Sequence, residues 1–225
     1  MSINELKQQA RTALKGKWKY GFFSVIVIWF ISNIFDAPAF VSENNLGILW
    51  TLGAIALIVG PIQTGVTWLF LDIWDGETVM YNTLFAPIRN YKKVALLTFT
   101  MYVAITLGFF AMIFPGIFLM LLFFQAPYIL KENPDAGVME CLMASSNRMK
   151  GHKWPLAKLV LSFIGFILLP FIVILVSVFF LTSTAIGAIL VLLSFIYVIL
   201  VGFYLVPMFQ TTLSGFYRQI TNTQK

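Results

Sequence analysis

Six apolar stretches run along the chain, and short polar segments that hold nearly all the charged residues separate them. A helix needs about 20 apolar residues to cross a hydrocarbon core of about 30 Å. The first and fourth stretches are short and would need local thinning of the bilayer or interfacial anchors. The pattern therefore predicts an all-α, polytopic bundle of six transmembrane helices. The stretches are roughly Tyr20–Phe35, Leu46–Leu71, Val94–Phe114, Gly116–Leu130, Leu159–Leu181 and Ile186–Val206.

The third and fourth stretches are separated only by Phe114, Pro115 and Gly116. Proline removes a backbone donor and glycine permits a tight reversal, so we expect a close helical hairpin at this point. A re-entrant pair of helices is an alternative form of the same reversal. A single kinked helix of about 37 residues would be too long for one crossing.

Composition strengthens the membrane interpretation. Hydrophobic residues make up 60% of the 225 residues and charged residues 11%, whereas charged residues form about 25% of a soluble domain. The single cysteine excludes an intramolecular disulfide and a zinc site built only from cysteines. We therefore expect one integral membrane domain over residues 1–225.

The positions of the charges predict the orientation of the spans. In the six-span arrangement all 15 basic residues fall on one side, and the opposite loops carry only Asp36 and Glu43. Both termini are therefore predicted to be cytoplasmic, in the cell membrane. Since these cations flank apolar spans, we expect the net charge of +6 to serve anionic phospholipids and not nucleic acid.

Residues 1–39 also resemble a secretory signal peptide, with Ala37-Pro38-Ala39 in an A-x-A-like arrangement. Cleavage there would leave five helices. The basic leader, residues 1–19, is long and has a helical pattern of its own. This favours an uncleaved chain in which the leader and the first span belong to the membrane domain.

The amino-terminal segment 1–19 is predicted to be an amphipathic helix lying in the headgroup plane. Ser2 and Glu5 have the spacing of a capping box. Lys7, Arg11 and Lys15 share one face, from which we expect them to contact anionic lipid. The alternative is a solvated basic lead-in that only sets the topology.

A second amphipathic helix is predicted within residues 131–158, between spans four and five. Asn133 suits the N-cap, Pro134 the first helical position, and Gly151 the left-handed residue after the end. Its apolar face forms a candidate docking surface for a partner or for lipid, and the alternative is packing against the protein's own spans. The proposed docking face consists of Met139, Leu142, Met143 and Met149; the basic end, expected to contact anionic lipid, consists of Arg148, Lys150 and Lys153.

No catalytic, metal or cofactor site is predicted. Cys141 and His152 lie eleven residues apart with no third group to orient the imidazole. The centres of the spans lack ionisable residues, which proton relays and intramembrane catalysis require. We therefore expect a protein that is not an enzyme.

Polar residues enter three spans, each beside a proline that frees a backbone carbonyl. These breaks would converge on a cleft open to the inner leaflet, or would be three independent kinks. The cleft residues are Gln63, Thr64, Gln125, Tyr128 and Gln210.

In the six-span arrangement residues 20–130 hold spans one to four, 159–207 hold spans five and six, and 208–225 form a cytoplasmic tail.

Several short motifs resemble the bacterial membrane family known as domain of unknown function 975. The most specific is Ser146-x-x-Met149-Lys150-Gly151-x-Lys153 followed by Leu161-Ser162-Phe163-Ile164-Gly165. Others are Glu5-Leu6-Lys7 through Leu14-Lys15-Gly16, Gly60-Pro61 with Gly65, Phe114-Pro115-Gly116, Ala126-Pro127-Tyr128-Ile129-Leu130, Glu132-Asn133-Pro134 and Phe216-Tyr217. The resemblance implies a polytopic membrane protein, largely of Gram-positive bacteria and similar in architecture to Yip1-like proteins. It implies no catalytic residues.

The sequence thus favours a non-enzymatic scaffold, adaptor or lipid-associated envelope factor. Its expected partners are the lipid bilayer, anionic phospholipids, and a membrane protein or a second copy of the chain on the cytoplasmic side. The alternative is a permease or transporter subunit that uses the inner-leaflet cleft.

Overall fold

The computed structural model describes residues 2–41, 53, 55–180 and 185–223. Within those ranges the chain forms helices and turns and contains no strand, which confirms the all-α prediction. The helices are α1 (Ile3–Ala13), α2 (Trp18–Val41), a π-helical turn (Ile55–Val59), α3 (Gly60–Asp75), a 3₁₀ helix (Tyr81–Asn90), α4 (Tyr91–Ala111), α5 (Ile113–Phe123), α6 (Ala126–Glu132), α7 (Val138–Arg148), α8 (Lys153–Phe180) and α9 (Ala185–Thr223).

Four helical segments of the described chain are long and apolar enough to cross a membrane. A fifth candidate is α8, whose parts Lys153–Phe166 and Phe171–Ser177 meet at a bend of 41°. The apolar part of α2, Trp18–Ile31, is shorter. These helices are compatible with a membrane protein, and the number six remains a prediction. The four segments are Leu57–Asp75, Tyr81–Ala111, Ile113–Glu132 and Ile189–Thr223.

Part of the topology prediction lies outside the described residues. Glu43, the start of the second predicted span and the terminal Lys225 fall there, as does the predicted end of the fifth span at Leu181.

The reversal between α4 and α5 lies at Met112, whose backbone is extended with φ −171° and ψ 161°. The predicted position at 114–116 is therefore wrong by a few residues. Pro115 and Gly116 belong to the first turn of α5, where the missing proline N–H has no helical partner to lose. A Cβ built on Gly108 would lie 3.0 Å from the Gly116 Cα. The two helices thus pack closely as a hairpin, and the single kinked helix is excluded.

The largest core cluster joins α1 to α3, α8 and α9. The predicted capping box is present: the Ser2 hydroxyl accepts from the Glu5 N–H at 3.3 Å, and the Ser2 N–H donates to Glu5 Oε2 at 3.0 Å. Leu6, Ala10 and Leu14 are at most 2% exposed. The apolar face of α1, a helix predicted to lie in the headgroup plane, is therefore buried against the protein's own helices.

The segment after α3 folds back onto that helix through a glycine. A Cβ on Gly65 would collide with the backbone carbonyl of Leu84 in the 3₁₀ helix. Only glycine permits so close an approach of two backbones. Gly76, with φ +77°, ends α3, and the Glu77 N–H donates to the Asp72 carbonyl at 3.0 Å.

The start of α7 differs from its prediction. Asn133 caps the end of α6, because its N–H donates to the Ile129 carbonyl at 2.9 Å. The next helix begins only at Val138, with Gly137 as its N-cap and the Gly137 N–H bonded to Glu140 Oε2 at 3.2 Å. Asn133 and Pro134 therefore lie in the connecting turn and do not start the helix. Gly151 has φ +81°, which confirms the left-handed residue predicted after the helix end.

Candidate functional site

A cluster of charged residues ties the ends of α3, α6, α7 and α9 together. Arg218 of α9 donates through Nε to Asp75 Oδ1 at 2.8 Å and through Nη1 to Glu132. Lys131 pairs with Asp72 and also donates to the Trp68 carbonyl at 2.9 Å. We call this set the charged cluster; it consists of Asp72, Asp75, Lys131, Glu132, Arg148, Tyr217 and Arg218.

Tyr217 is the centre of the cluster. Its hydroxyl donates to Glu132 Oε2 and accepts from Arg148 Nη1 at 3.2 Å. Its ring stacks on Tyr128, with centroids 4.7 Å apart and planes inclined by 15°. Both tyrosines are at most 1% exposed. The hydroxyl thus satisfies a carboxylate and a guanidinium at once, which fixes α9 against α6 and α7.

Two further contacts bring other basic segments to the same end of the bundle. Lys17 donates to the Glu77 carbonyl at 2.9 Å, and Lys93 donates to the Pro134 carbonyl at 2.5 Å. The segment between α1 and α2 therefore contacts the segment after α3, and the first turn of α4 contacts the segment after α6. Segments assigned to one side by charge counting meet here.

The residues of the predicted cleft do not share one opening. Gln63 is exposed, and Gln210 is half-buried on α9. Thr64 is 3% exposed and donates to the Gly60 carbonyl at 3.0 Å. Hydroxyl bonding to a carbonyl four residues earlier is a local way of satisfying a helix that contains proline.

Gln125 and Tyr128 are the two cleft residues that the structure brings into one neighbourhood. Gln125 is 0% exposed; its backbone N–H donates to the Ser145 hydroxyl at 3.1 Å, and its Nε2 lies 3.2 Å from the Met149 sulfur. This amide packs between the α5–α6 junction and α7. It therefore belongs to the interior of the protein.

The predicted docking face on α7 divides into two parts. Leu142 is 4% and Met149 0% exposed, so both pack inside the protein. Met139 and Met143 are each 59% exposed. These two methionines are four positions apart, which places them on neighbouring turns of one helix face.

Cys141 and His152 lie in different surroundings. Cys141 is fully buried beside α3, α4 and α6, and burial raises the pKa of its thiol. A raised pKa disfavours the thiolate, which is the nucleophilic form. His152 lines a cavity of about 190 Å³ between α1, α8 and α9. The arrangement gives no sign of a nucleophile and base acting together.

The six cations predicted to contact lipid fall into two groups. Three interact with the protein: Lys7 donates to the Ser162 carbonyl at 3.2 Å, Arg148 to Tyr217, and Lys153 lies 3.9 Å from the Phe118 ring centroid. Burial lowers the pKa of the Lys7 ammonium. Arg11, Lys15 and Lys150 are exposed.

Sequence reasoning missed the charged cluster. Asp72 and Asp75 stand one turn apart at the end of an apolar helix, a signal for a charged helix end. Nothing local shows that Arg218, 143 residues later, is the partner of Asp75. Within the described residues no three His, Cys, Asp or Glu side chains are grouped so that they can hold a metal ion.

The model of the family described as "protein of unknown function (DUF975)" matches residues 112–224, slightly more than half of the chain. The chain belongs to the DUF975 family. No curated protein and no solved structure matched it. The DUF975 match runs from the α4–α5 reversal to the end of α9 and includes five residues of the charged cluster. Three motifs noted in the sequence meet there, since Tyr217 contacts both Glu132 and Tyr128.

Proposed function

We propose that this DUF975 protein is a non-enzymatic, multi-pass protein of the cytoplasmic membrane that acts as a scaffold. Its charged end lies in the cytoplasm and its apolar helices lie in the bilayer. The gathering of basic segments at one end supports this orientation, because cytoplasmic loops carry the excess of Lys and Arg. The heavily exposed phenylalanines of the α4–α5 hairpin support burial in lipid.

The observation that carries the scaffold role is the pair of exposed methionines on α7. The helix is held from behind by Leu142, by Met149 and by Ser145, whose hydroxyl donates to the Leu122 carbonyl at 2.7 Å. A fixed helix with two flexible, polarisable side chains facing outward suits adaptable apolar contact. We assign this face to the apolar surface of a membrane-protein partner at the cytoplasmic side.

The permease alternative has less support. Its cleft residues Thr64, Gln125 and Tyr128 are at most 3% exposed, and Gln63 is exposed on the surface of α3. A transport path needs polar groups that line a shared, accessible cavity. The buried Gln125 instead contributes to the contact between the α5–α6 junction and α7.

Site-specific photocrosslinking in intact cells tests the scaffold role. A photoreactive residue at position 139 or 143 should give an adduct with one partner protein of defined mass. The same residue at position 9 serves as the control, because Gln9 is exposed on α1 and lies outside the face. Met143→Ser should abolish copurification of that partner with the native chain.

Adducts only with lipid, or only with a second copy of the chain, would contradict the hetero-partner assignment. A flux assay on the purified protein in liposomes tests the permease alternative. Substrate-dependent flux from the protein alone, lost in Gln125→Leu, would contradict the scaffold proposal as a whole.

A further inference from the structure

A concavity with a volume of about 410 Å³ lies beside the segment that connects α3 to α4. This volume falls in the range of about 300–1,000 Å³ that is usual for ligand sites. Its wall combines one cation, hydroxyl and amide groups, and apolar side chains. The lining residues are Thr78, Met80, Asn82, Thr83, Phe85, Ala86 and Arg89.

Arg89 is the charged group of this concavity. It is exposed, and none of the ion pairs among the described residues involves it. Arg218, by contrast, is held by two carboxylates. A guanidinium left without a carboxylate is well suited to a phosphate, which it can bind through two parallel N–H donors. Thr78 and Thr83, whose side chains carry hydroxyl donors, line the same concavity.

The concavity stands on a fixed framework. Leu84 is 0% exposed beneath the Gly65 contact, and the Tyr81 ring lies 4.8 Å from that of Tyr20. At the end of the 3₁₀ helix the Tyr91 hydroxyl donates to the Leu57 carbonyl at 2.9 Å. The segment is therefore anchored on one side and leaves its other side open.

The open side is apolar and continues onto α4. Met80, Phe85 and Ile88 are 62%, 41% and 54% exposed. An exposed stripe then follows α4 at spacings of three and four residues, which is one face of a helix. It consists of Lys92, Leu96, Phe99, Val103, Leu107 and Phe110. Arg89 in the concavity and Lys92 at the start of the stripe suit the anionic part of an amphiphile, and the apolar side chains along the stripe suit its apolar part.

We propose that this concavity binds the headgroup of an anionic phospholipid. The phosphate lies on Arg89, the glycerol oxygens face Thr78, Asn82 and Thr83, and the acyl chains run along the exposed stripe of α4. The inference rests on the proposed placement of the helices in a bilayer. The proposed site includes none of the six cations that the sequence predicted to contact anionic lipid.

Native mass spectrometry of the delipidated protein in detergent tests the site. Phosphatidylglycerol and phosphatidylcholine with identical acyl chains serve as probes. The native chain should retain phosphatidylglycerol preferentially. Arg89→Gln should weaken that retention by roughly tenfold, since a charge-assisted contact to the phosphate is lost, and Thr83→Val by about threefold.

Arg11→Gln is the matched control, because it removes one exposed positive charge elsewhere. It should change retention less than about twofold if the site, and not net charge, selects the lipid. Equal losses in Arg11→Gln and Arg89→Gln would overturn the proposal, as would unchanged retention in Arg89→Gln. Displacement of the lipid by equimolar inorganic phosphate would also overturn it, because the site would then bind a free anion.

Failure of this inference can be distinguished from failure of the proposed function. If alkaline carbonate released the protein from membranes, both the bilayer placement and the lipid site would fail. If the protein stayed in the membrane and gave its partner adduct from position 143 while Arg89→Gln kept its lipid, only the lipid site would fail.

Discussion

Large side chains are buried at the charged cluster and exposed at the tip of the α4–α5 hairpin. At the charged cluster, Tyr217 and its stacking partner Tyr128 are at most 1% exposed, and so is Phe70, two residues before Asp72 on α3. At the hairpin tip, Phe110 and Phe114 are 84% and 81% exposed. Both regions are rich in aromatic residues, so composition does not separate them.

The difference is compatible with a different solvent around each region. In water an exposed phenylalanine forgoes about 25 cal/mol of stabilisation for each Å² of apolar surface that it leaves unburied. Lipid tails remove that penalty, because they are as apolar as the side chain. At the charged end the aromatic side chains are instead buried, as in the core of a soluble protein, and the ion pairs lie at the edge of that core. The two regions should therefore respond differently to the same kind of substitution.

Truncating a phenylalanine in each region should give the largest contrast. Phe70→Ala removes a fully buried ring from the largest core cluster, and we expect a loss of about 3–5 kcal/mol in unfolding free energy. Phe110→Ala should cost roughly 0.5 kcal/mol, since the ring makes few internal contacts. Thermal unfolding of both variants in one detergent measures the difference. Similar losses would show that the hairpin tip is packed against protein.

Breaking the charged cluster should have an intermediate effect. Arg218→Gln leaves the carboxylates of Asp75 and Glu132 without their shared cation. We expect a loss of about 1–3 kcal/mol at low salt, reduced at high salt because these groups are partly exposed. Arg11→Gln, a change of the same charge at an exposed position of α1, should be nearly neutral in the same unfolding assay. Equal effects of the two variants would mean that net charge matters and the pairing does not.

The two faces of α7 should differ in thiol reactivity with little effect on stability. Cys141 is buried and the pKa of its thiol is raised by that burial. Its thiolate fraction is therefore lower at neutral pH and grows only at higher pH than for an ordinary cysteine. A Met143→Cys, Cys141→Ala variant should react with maleimide at pH 7 at least about tenfold faster than the native chain. Intact-mass measurement over time gives both rates, and comparable rates would mean that α7 opens readily.

Local patterns predicted much of the fold. The Ser2–Glu5 capping box and the left-handed Gly151 were found as expected, because each depends on residues three or four positions apart. The helical character of the chain also followed from its apolar stretches. The start of α7 was misplaced because Asn133 can end one helix as well as begin another, and only the hydrogen bond to Ile129 decides.

The candidate sites were predicted less well. Periodicity selected one face of α7, but packing buried half of it: Leu142 and Met149 are buried, and Met139 and Met143 are exposed. Amphipathic periodicity shows that a helix has an apolar side, and it does not show whether protein, lipid or a partner covers that side. The same ambiguity led to the expectation that the amphipathic helix at the amino terminus lies in the headgroup plane.

The sequence by itself determined the helical class, the compatibility with a membrane and the separation of basic segments from apolar ones. Those properties follow from composition and short-range periodicity, which act within one helix. Only the tertiary structure decided that Arg218 is paired with Asp75, while Arg89 takes part in none of the ion pairs among the described residues. Such choices depend on which helix ends meet in space, and that depends on close contacts such as Gly65 with Leu84 between segments far apart along the chain.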